Sequence, residues 1–112
     1  MSNMYAQNPL YTHPDILSKL SLSCRDAAKI GARVRVYGLR LWQFFDMLVE
    51  QDFKCLICGA TLNGGSKTHI DHSHTSGAVR GLLCHICNHG LGVFKDNPDT
   101  LRKAAAYLET QT

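Results

Sequence analysis

Two cysteine pairs, Cys55-Leu56-Ile57-Cys58 and Cys84-His85-Ile86-Cys87, constrain this chain more than any other feature. In a reducing compartment, paired Cys-x-x-Cys units favour a metal over disulfides. Redox dithiols and an odd-cysteine disulfide scaffold compete with that reading, and two knuckles at zinc-ribbon-like separation make them minor. Four thiolates at about 2.3 Å complete a tetrahedral zinc and leave no position for a reacting water, so the zinc is expected to be structural. A site of three cysteines with His69 or His72 would also hold zinc, but Cys55, Cys58, Cys84 and Cys87 already satisfy it. The fifth cysteine, Cys24, reads as a small buried hydrophobe. Between Cys58 and Cys84 lie 25 residues, more than the roughly 15–20 of the simplest four-cysteine sites. The excess reads as an insertion between the knuckles.

A metal staple suits a chain of 112 residues, because a core of that size is thin. The length fits one domain, or one domain with an arm, and excludes a multidomain enzyme. No run of about 18 apolar residues occurs, so no membrane partner is expected. Met1 to Thr12 has neither a basic region nor an apolar one of the secretory kind. The expected location is the cytoplasm.

Met1 to Pro14, with Asn8-Pro9 and His13-Pro14, reads as an arm. A helix is predicted from Asp15, with Ile16, Leu17 and Leu20 on one face. A second starts near Ser23 and carries Ala27, Ile30 and Val34 on its apolar side. Arg25, Lys29 and Arg33 form a second stripe on it at i, i+4, i+8. Between Ile16 and Phe45 there are six basic residues and one acid. A solvated face is the bland reading. In a chain of net charge +3 and pI near 8.7, a one-signed stripe raises nucleic-acid contact, because neutralised phosphates release counterions.

Leu41, Phe44, Phe45, Leu48 and Val49 predict an amphipathic helix from about Arg40 to Gln51. It leads directly into the first knuckle, where Gly59 suits a tight turn. After the Asn63-Gly64-Gly65-Ser66 turn, Thr68 to His72 reads as a strand, and Val79 to Leu83 as a second. Asn88 to Phe94 reads as a helix weakened by Gly90 and Gly92. Asn97 and Pro98 open a last helix with Leu101, Ala104, Ala105 and Leu108 as its buried stripe.

The insertion between the knuckles carries His69-Ile70-Asp71-His72-Ser73-His74, and Asn88 follows the last cysteine. Strand alternation puts His69 and Asp71 on one face and His72 on the other, with His74 beyond the strand end. A carboxylate binds a hard cation such as Mg²⁺, and an amide oxygen is a second hard ligand. An imidazole takes a proton from water near neutral pH. Asn88 would be held rigidly by its zinc-bound neighbour. His85 and His89 read as surface residues, and Arg80, from its charge on the second strand, as a phosphate contact.

These residues resemble the phage recombination endonuclease VII family, within the HNH or His-Me finger (ββα-metal) nucleases. The likeness runs from Tyr37-Gly38-Leu39 through Cys55-x-x-Cys58-Gly59 and His69-Ile-Asp71-His72-Ser-His74. It continues in Gly77-x-Val79-Arg80-Gly81-Leu82-Leu83-Cys84-x-x-Cys87-Asn88-x-Gly90-Leu91-Gly92 and Asp96-Asn97-Pro98, and ends near Leu108. The fold class it implies is α+β, a zinc-stapled ββα-metal nuclease core flanked by helices. Residues 1–36 would be an arm with basic helices for DNA contact or dimerisation, and 37–112 the nuclease domain. The resemblance implies that Asp71 and Asn88 hold catalytic Mg²⁺ and that His72 is the general base. His74 would assist at the phosphate or the metal, and the products would be a 5′-phosphate and a 3′-hydroxyl. DNA is the implied partner, with branched DNA and a homodimer as features of the family's namesake, and a phage protein would act in the host cytoplasm. A nicking or homing-type enzyme and a non-catalytic zinc DNA-binding module are the alternatives. The joint presence of Asp-His and Cys-Asn favours an enzyme.

Overall fold

The computed structural model describes residues 24–111, with side chains from Lys29 onward. The expected arm, the helix from Asp15 and the side chains of Cys24, Arg25 and Ala27 lie outside what it describes. The elements run α1 (Cys24–Arg35), α2 (Leu41–Glu50), β1 (Thr68–His72), β2 (Val79–Cys84), α3 (His85–Val93) and α4 (Pro98–Gln111). The protein is therefore α+β, with two antiparallel strands followed by a helix.

The core forms where three apolar faces meet. Ile30 and Val34 of α1, Phe44, Phe45 and Leu48 of α2, and Ile70, Leu82 and Leu83 of the strands are all buried. Spacing of i, i+3, i+4 on a helix gathers such residues on one side, as the sequence of α2 predicts. Helix α2 ends through two consecutive left-handed residues, Asp52 (φ 53°) and Phe53 (φ 57°). Each costs about 1 kcal/mol or more outside glycine. The reversal is held because Phe53 is buried and its N–H donates to Leu48 O at 2.8 Å.

Gln51 joins this helix end to the sheet. Its Nε2 donates to Leu82 O and its Oε1 accepts from Leu82 N, both at 2.9 Å, and Nε2 also donates to Lys54 O at 2.9 Å. Leu82 is fully buried, so its outward-turned peptide groups need partners. One side-chain amide reaches both, and Leu56 N adds a longer bond to Leu82 O at 3.4 Å.

The strands are in register from Thr68↔Cys84 to Asp71↔Gly81. The pairing then slips to His72↔Val79, so that Arg80 has no residue opposite it. Such a bulge re-aims the side chains around it.

Helix α3 differs from expectation at its start. It begins at His85, not Asn88, because Cys84 is its N-cap, with the sulfur accepting from Cys87 N. Asn97 caps α4 as the sequence predicts, Oδ1 accepting from the N–H of Asp99 and Thr100. The expected buried stripe on α4 is not found: no residue of α4 is buried. Leu101 and Ala104 are half-buried, whereas Ala105 and Leu108 are exposed. Helix periodicity places apolar residues on one side, but burial needs a facing element, and α4 turns away after Lys95 and Asp96, which are also left-handed (φ 56° and 54°).

We expect Gln51→Leu to cost about 1–3 kcal/mol, the penalty of leaving the Leu82 N–H unpaired while Leu82 O keeps only the bond from Leu56 N. Urea denaturation of the zinc-loaded protein measures this, and a variant as stable as wild type would mean that water replaces the amide.

Candidate functional site

The four cysteines meet where the first knuckle faces the β2–α3 junction. Their Sγ atoms all lie within 4.8 Å of one another, and Cys58 Sγ is 3.6 Å from Cys84 Sγ. Sulfurs about 2.3 Å from a common zinc would be about 3.8 Å apart, so the set fits that ion. Backbone amides are aimed at the sulfurs: Ile57 N to Cys55, Ala60 N to Cys58 and Cys87 N to Cys84, each at 3.4 Å. Gly59 turns the first knuckle at φ 77°, as its sequence suggests. Burial pushes the Cys55 thiol up, but hydrogen bonds from the backbone of Cys58, Cys84 and Ile57 outweigh it and bring it down to about 6. Burial, then its hydrogen bonds with the other three thiols, pushes Cys87 up to about 12. Four thiols this close do not all ionise without a cation among them.

Beyond this cluster, β1 and α3 frame an open cleft lined by Asp71, His72, His74, Asn88, His89 and Asp96, with Gly92 and Val93 also on its wall. Strict alternation does not hold here. Asp71 and His72 both reach the cleft, and the register slip between them accounts for the departure. His69 faces a neighbouring hollow with Arg33, Tyr37 and Asn88. Asp71 is buried and His72 and Asn88 are half-buried, while His74 and His89 are exposed.

Several of these side chains have neighbours that position them. The ring of Tyr37 lies 5.0 Å from that of His72, and the His74 ring lies 4.9 Å away from it. Asn88 Nδ2 is 3.0 Å from His69 Nδ1. An amide N–H only donates, so Nδ1 is the acceptor and the ring proton sits on the other nitrogen. Burial, then the charges of Arg33 and His85, hold His69 below the usual imidazole range, against a hydrogen bond to the Ser66 backbone. Asn88 thus spends its nitrogen on His69 and keeps its oxygen, a hard ligand, for another partner.

Three basic residues are placed differently from what their charge suggests. Arg80 does not stand free: its Nε and NH2 donate to Asp71 at 2.7 and 2.8 Å, and NH2 lies 3.3 Å from Asp96. Arg33 is drawn inward, donating to Gly65 O at 3.1 Å and Gly64 O at 3.5 Å with its guanidinium over the Phe44 ring. Arg35 folds back on its own helix to Gly31 O. Lys29 is exposed.

Sequence reasoning missed Asp96 and Tyr37 as parts of the site. Asp96 Oδ2 is 3.5 Å from His74 Nε2 and 3.3 Å from Arg80. It arrives through the left-handed turn after α3, which no local periodicity announces. The available signal was that Asp96 and Tyr37 both stand in the motifs that carry the family resemblance.

The architecture defines a small α+β protein with a four-cysteine cluster that could hold a metal ion and whose last two cysteines begin the helix that flanks a polar cleft. The chain belongs to the recombination endonuclease VII family, whose sequence profile matches residues 31–110. It is 33% identical over 81 residues to the Gene 59 protein of Mycobacterium phage L5, covering 71% of this chain and 48% of that protein. The Gene 59 protein of Mycobacterium phage D29 is 34% identical over 73 residues, 64% of this chain and 44% of that one. The chain thus spans about half the length of these relatives. No solved structure is a significant match. Among the described residues, no helix is long and apolar enough to cross a membrane.

Cys55→Ser, or extraction of zinc by a strong chelator, is expected to unfold residues around both knuckles, because structural zinc supplies folding free energy. Circular dichroism with colorimetric zinc release reads this. A chain that keeps its helix signal and melting temperature after losing one zinc per molecule would overturn a structural role.

Proposed function

We propose that this protein is a metal-dependent DNA endonuclease of the HNH (His-Me finger) type that hydrolyses phosphodiester bonds. The observation that carries the reading is the convergence of Asp71, His72, His74 and Asn88 on one cleft, in a chain of the endonuclease VII family.

His72 is the general base. It takes the proton of the attacking water, and Tyr37 against its ring restricts the imidazole to the cleft. Asp71 and Asn88 offer a carboxylate and an amide oxygen, a hard donor set that fits Mg²⁺. These two residues would hold the ion, which would supply Lewis-acid stabilisation of developing charge at the phosphate and the leaving oxygen. His74, on the open side next to Asp96, assists at the phosphate. Water adds at phosphorus and the 3′-oxygen leaves, giving a 5′-phosphate and a 3′-hydroxyl. The four cysteines, with zinc, fix Cys87 and so the adjacent Asn88.

Residues 37–112 form the nuclease part, and 1–36 contribute DNA contact or dimerisation. Arg25 and Lys29 remain the phosphate contacts of that basic stretch, whereas Arg33 is committed to the fold. The family's description favours recombination intermediates, and hence branched DNA, as substrate. Nicking of duplex DNA is the second reading, and the host cytoplasm is the place of action in either case.

Incubating supercoiled plasmid and a synthetic four-way junction with the protein in Mg²⁺ or EDTA tests this. Cleavage is expected only with the metal, with the junction cut in preference to the plasmid. His72→Ala is expected to keep zinc and DNA binding and to lose at least about 10²-fold in rate. Asp71→Asn is expected to raise the Mg²⁺ concentration needed. Binding without cleavage of either substrate across several divalent metals would leave the zinc DNA-binding module in its place.

A further inference from the structure

The carboxylate assigned above to the divalent cation already has a cationic partner. Arg80 spans both oxygens of Asp71 at 2.7 and 2.8 Å, the bidentate geometry that matches a guanidinium to a carboxylate. Asp71 is nearly buried whereas 40% of the Arg80 side chain is exposed, so the carboxylate is fixed and the arginine is the partner able to leave. Arg80 also occupies the bulge of β2, where no opposing residue restrains it. Its NH2 has a second carboxylate, Asp96, at 3.3 Å. Two carboxylates and one guanidinium leave the cluster with one net negative charge, and a bound divalent cation would turn that to one net positive charge. Like charges this close repel by several kcal/mol even at an effective dielectric constant of about 20.

We propose that Arg80 is the stand-in for the divalent cation on Asp71: it neutralises the carboxylate in the metal-free protein and yields it to the cation. Once displaced, it stays tethered at the mouth of the cleft by Asp96 and binds the phosphate of the DNA. Arg80 thus has two positions, and its role at the phosphate is conditional on the metal. The inference rests on the reading of Asp71 as a cation ligand.

Isothermal titration of the zinc-loaded protein with Mg²⁺, without DNA, separates the two. Asp71→Asn is expected to lose most of the Mg²⁺ affinity, and if it does not, the ligand assignment falls and this inference with it. If Arg80 competes with the cation, Arg80→Ala is expected to bind Mg²⁺ about tenfold more tightly, a difference of about 1.4 kcal/mol. Arg80→Lys, which keeps the charge but cannot span both oxygens, is expected to tighten it less and serves if the alanine variant fails to fold. Lys95→Asn removes a nearby charge without touching Asp71 and is expected to change the affinity by under about twofold, so a gain equal to that of Arg80→Ala would refute direct competition. Unchanged or weaker Mg²⁺ binding in both Arg80 variants would overturn the proposal and make Arg80 a residue that orients Asp71. In the uncleaving His72→Ala background, adding Arg80→Ala is expected to weaken duplex binding in Mg²⁺ and to leave it unchanged in EDTA. An equal loss in both would overturn the conditional role.

Discussion

Everything in this fold depends on the clustering of four sulfurs from two distant points of the chain. Among the described residues the buried apolar set comprises twelve, two of them cysteines of the cluster. Structural zinc contributes roughly 10–16 kcal/mol in zinc-finger peptides, as much as the whole net stability of about 5–15 kcal/mol of an ordinary domain. The clamp closes the loop that contains both strands, so the cleft-bearing segment from Thr68 to Val79 lies inside the constrained region. The second knuckle is also the first turn of α3. A metal that holds Cys84 and Cys87 therefore sets the direction of α3, and with it the positions of Asn88, His89 and Gly92 along the cleft. Stability and site geometry have the same origin here.

What could be read from sequence was whatever has a fixed local period or spacing. The cysteines, the strand Thr68–His72 and the Asn97-Pro98 helix start belong to that group, because thiolate coordination, pleating and capping impose short-range rules. The face of α2 was legible for the same reason. What escaped was long-range pairing of polar groups. Nothing near Gln51 indicates that its amide will satisfy Leu82, 31 residues away. The charge of Arg33 suggested a surface, but a guanidinium with carbonyls and an aromatic face within reach is well placed inside. Arg80 was placed on the correct strand, but its pairing with Asp71 was not legible, since the bulge beside it is not encoded in alternation. For α4 the error ran the other way: the apolar stripe is real, but a stripe alone does not bury itself.

The cleft also shows how a small protein assembles a site from parts with separate tolerances. Tyr37 comes from the link between two helices, Asp71 and His72 from a strand, Asn88 from a helix, and Asp96 from a turn. Three of these lie between or immediately beside cysteines of the cluster. Tyr37 is held instead by the backbone bond of its N–H to Val34 O at 3.0 Å, at the end of the basic helix. Tyr37 thus links the end of α1 to the His72 ring.

The left-handed pair after α3 has its own consequence for how such a site can diverge. At Lys95 only the backbone conformation matters to the turn, and glycine or asparagine would adopt it with less strain. At Asp96 the same conformation is joined to a carboxylate that reaches both Arg80 and His74. Replacement of Asp96 by asparagine would keep the turn and erase its carboxylate, whereas glycine at 95 would relax the turn, keep that carboxylate and remove the ammonium beside Arg80 and Asp96. Two neighbouring positions of one turn thus carry opposite charges, and related proteins could retune the electrostatics of the cleft by single substitutions without rebuilding the helix that frames it.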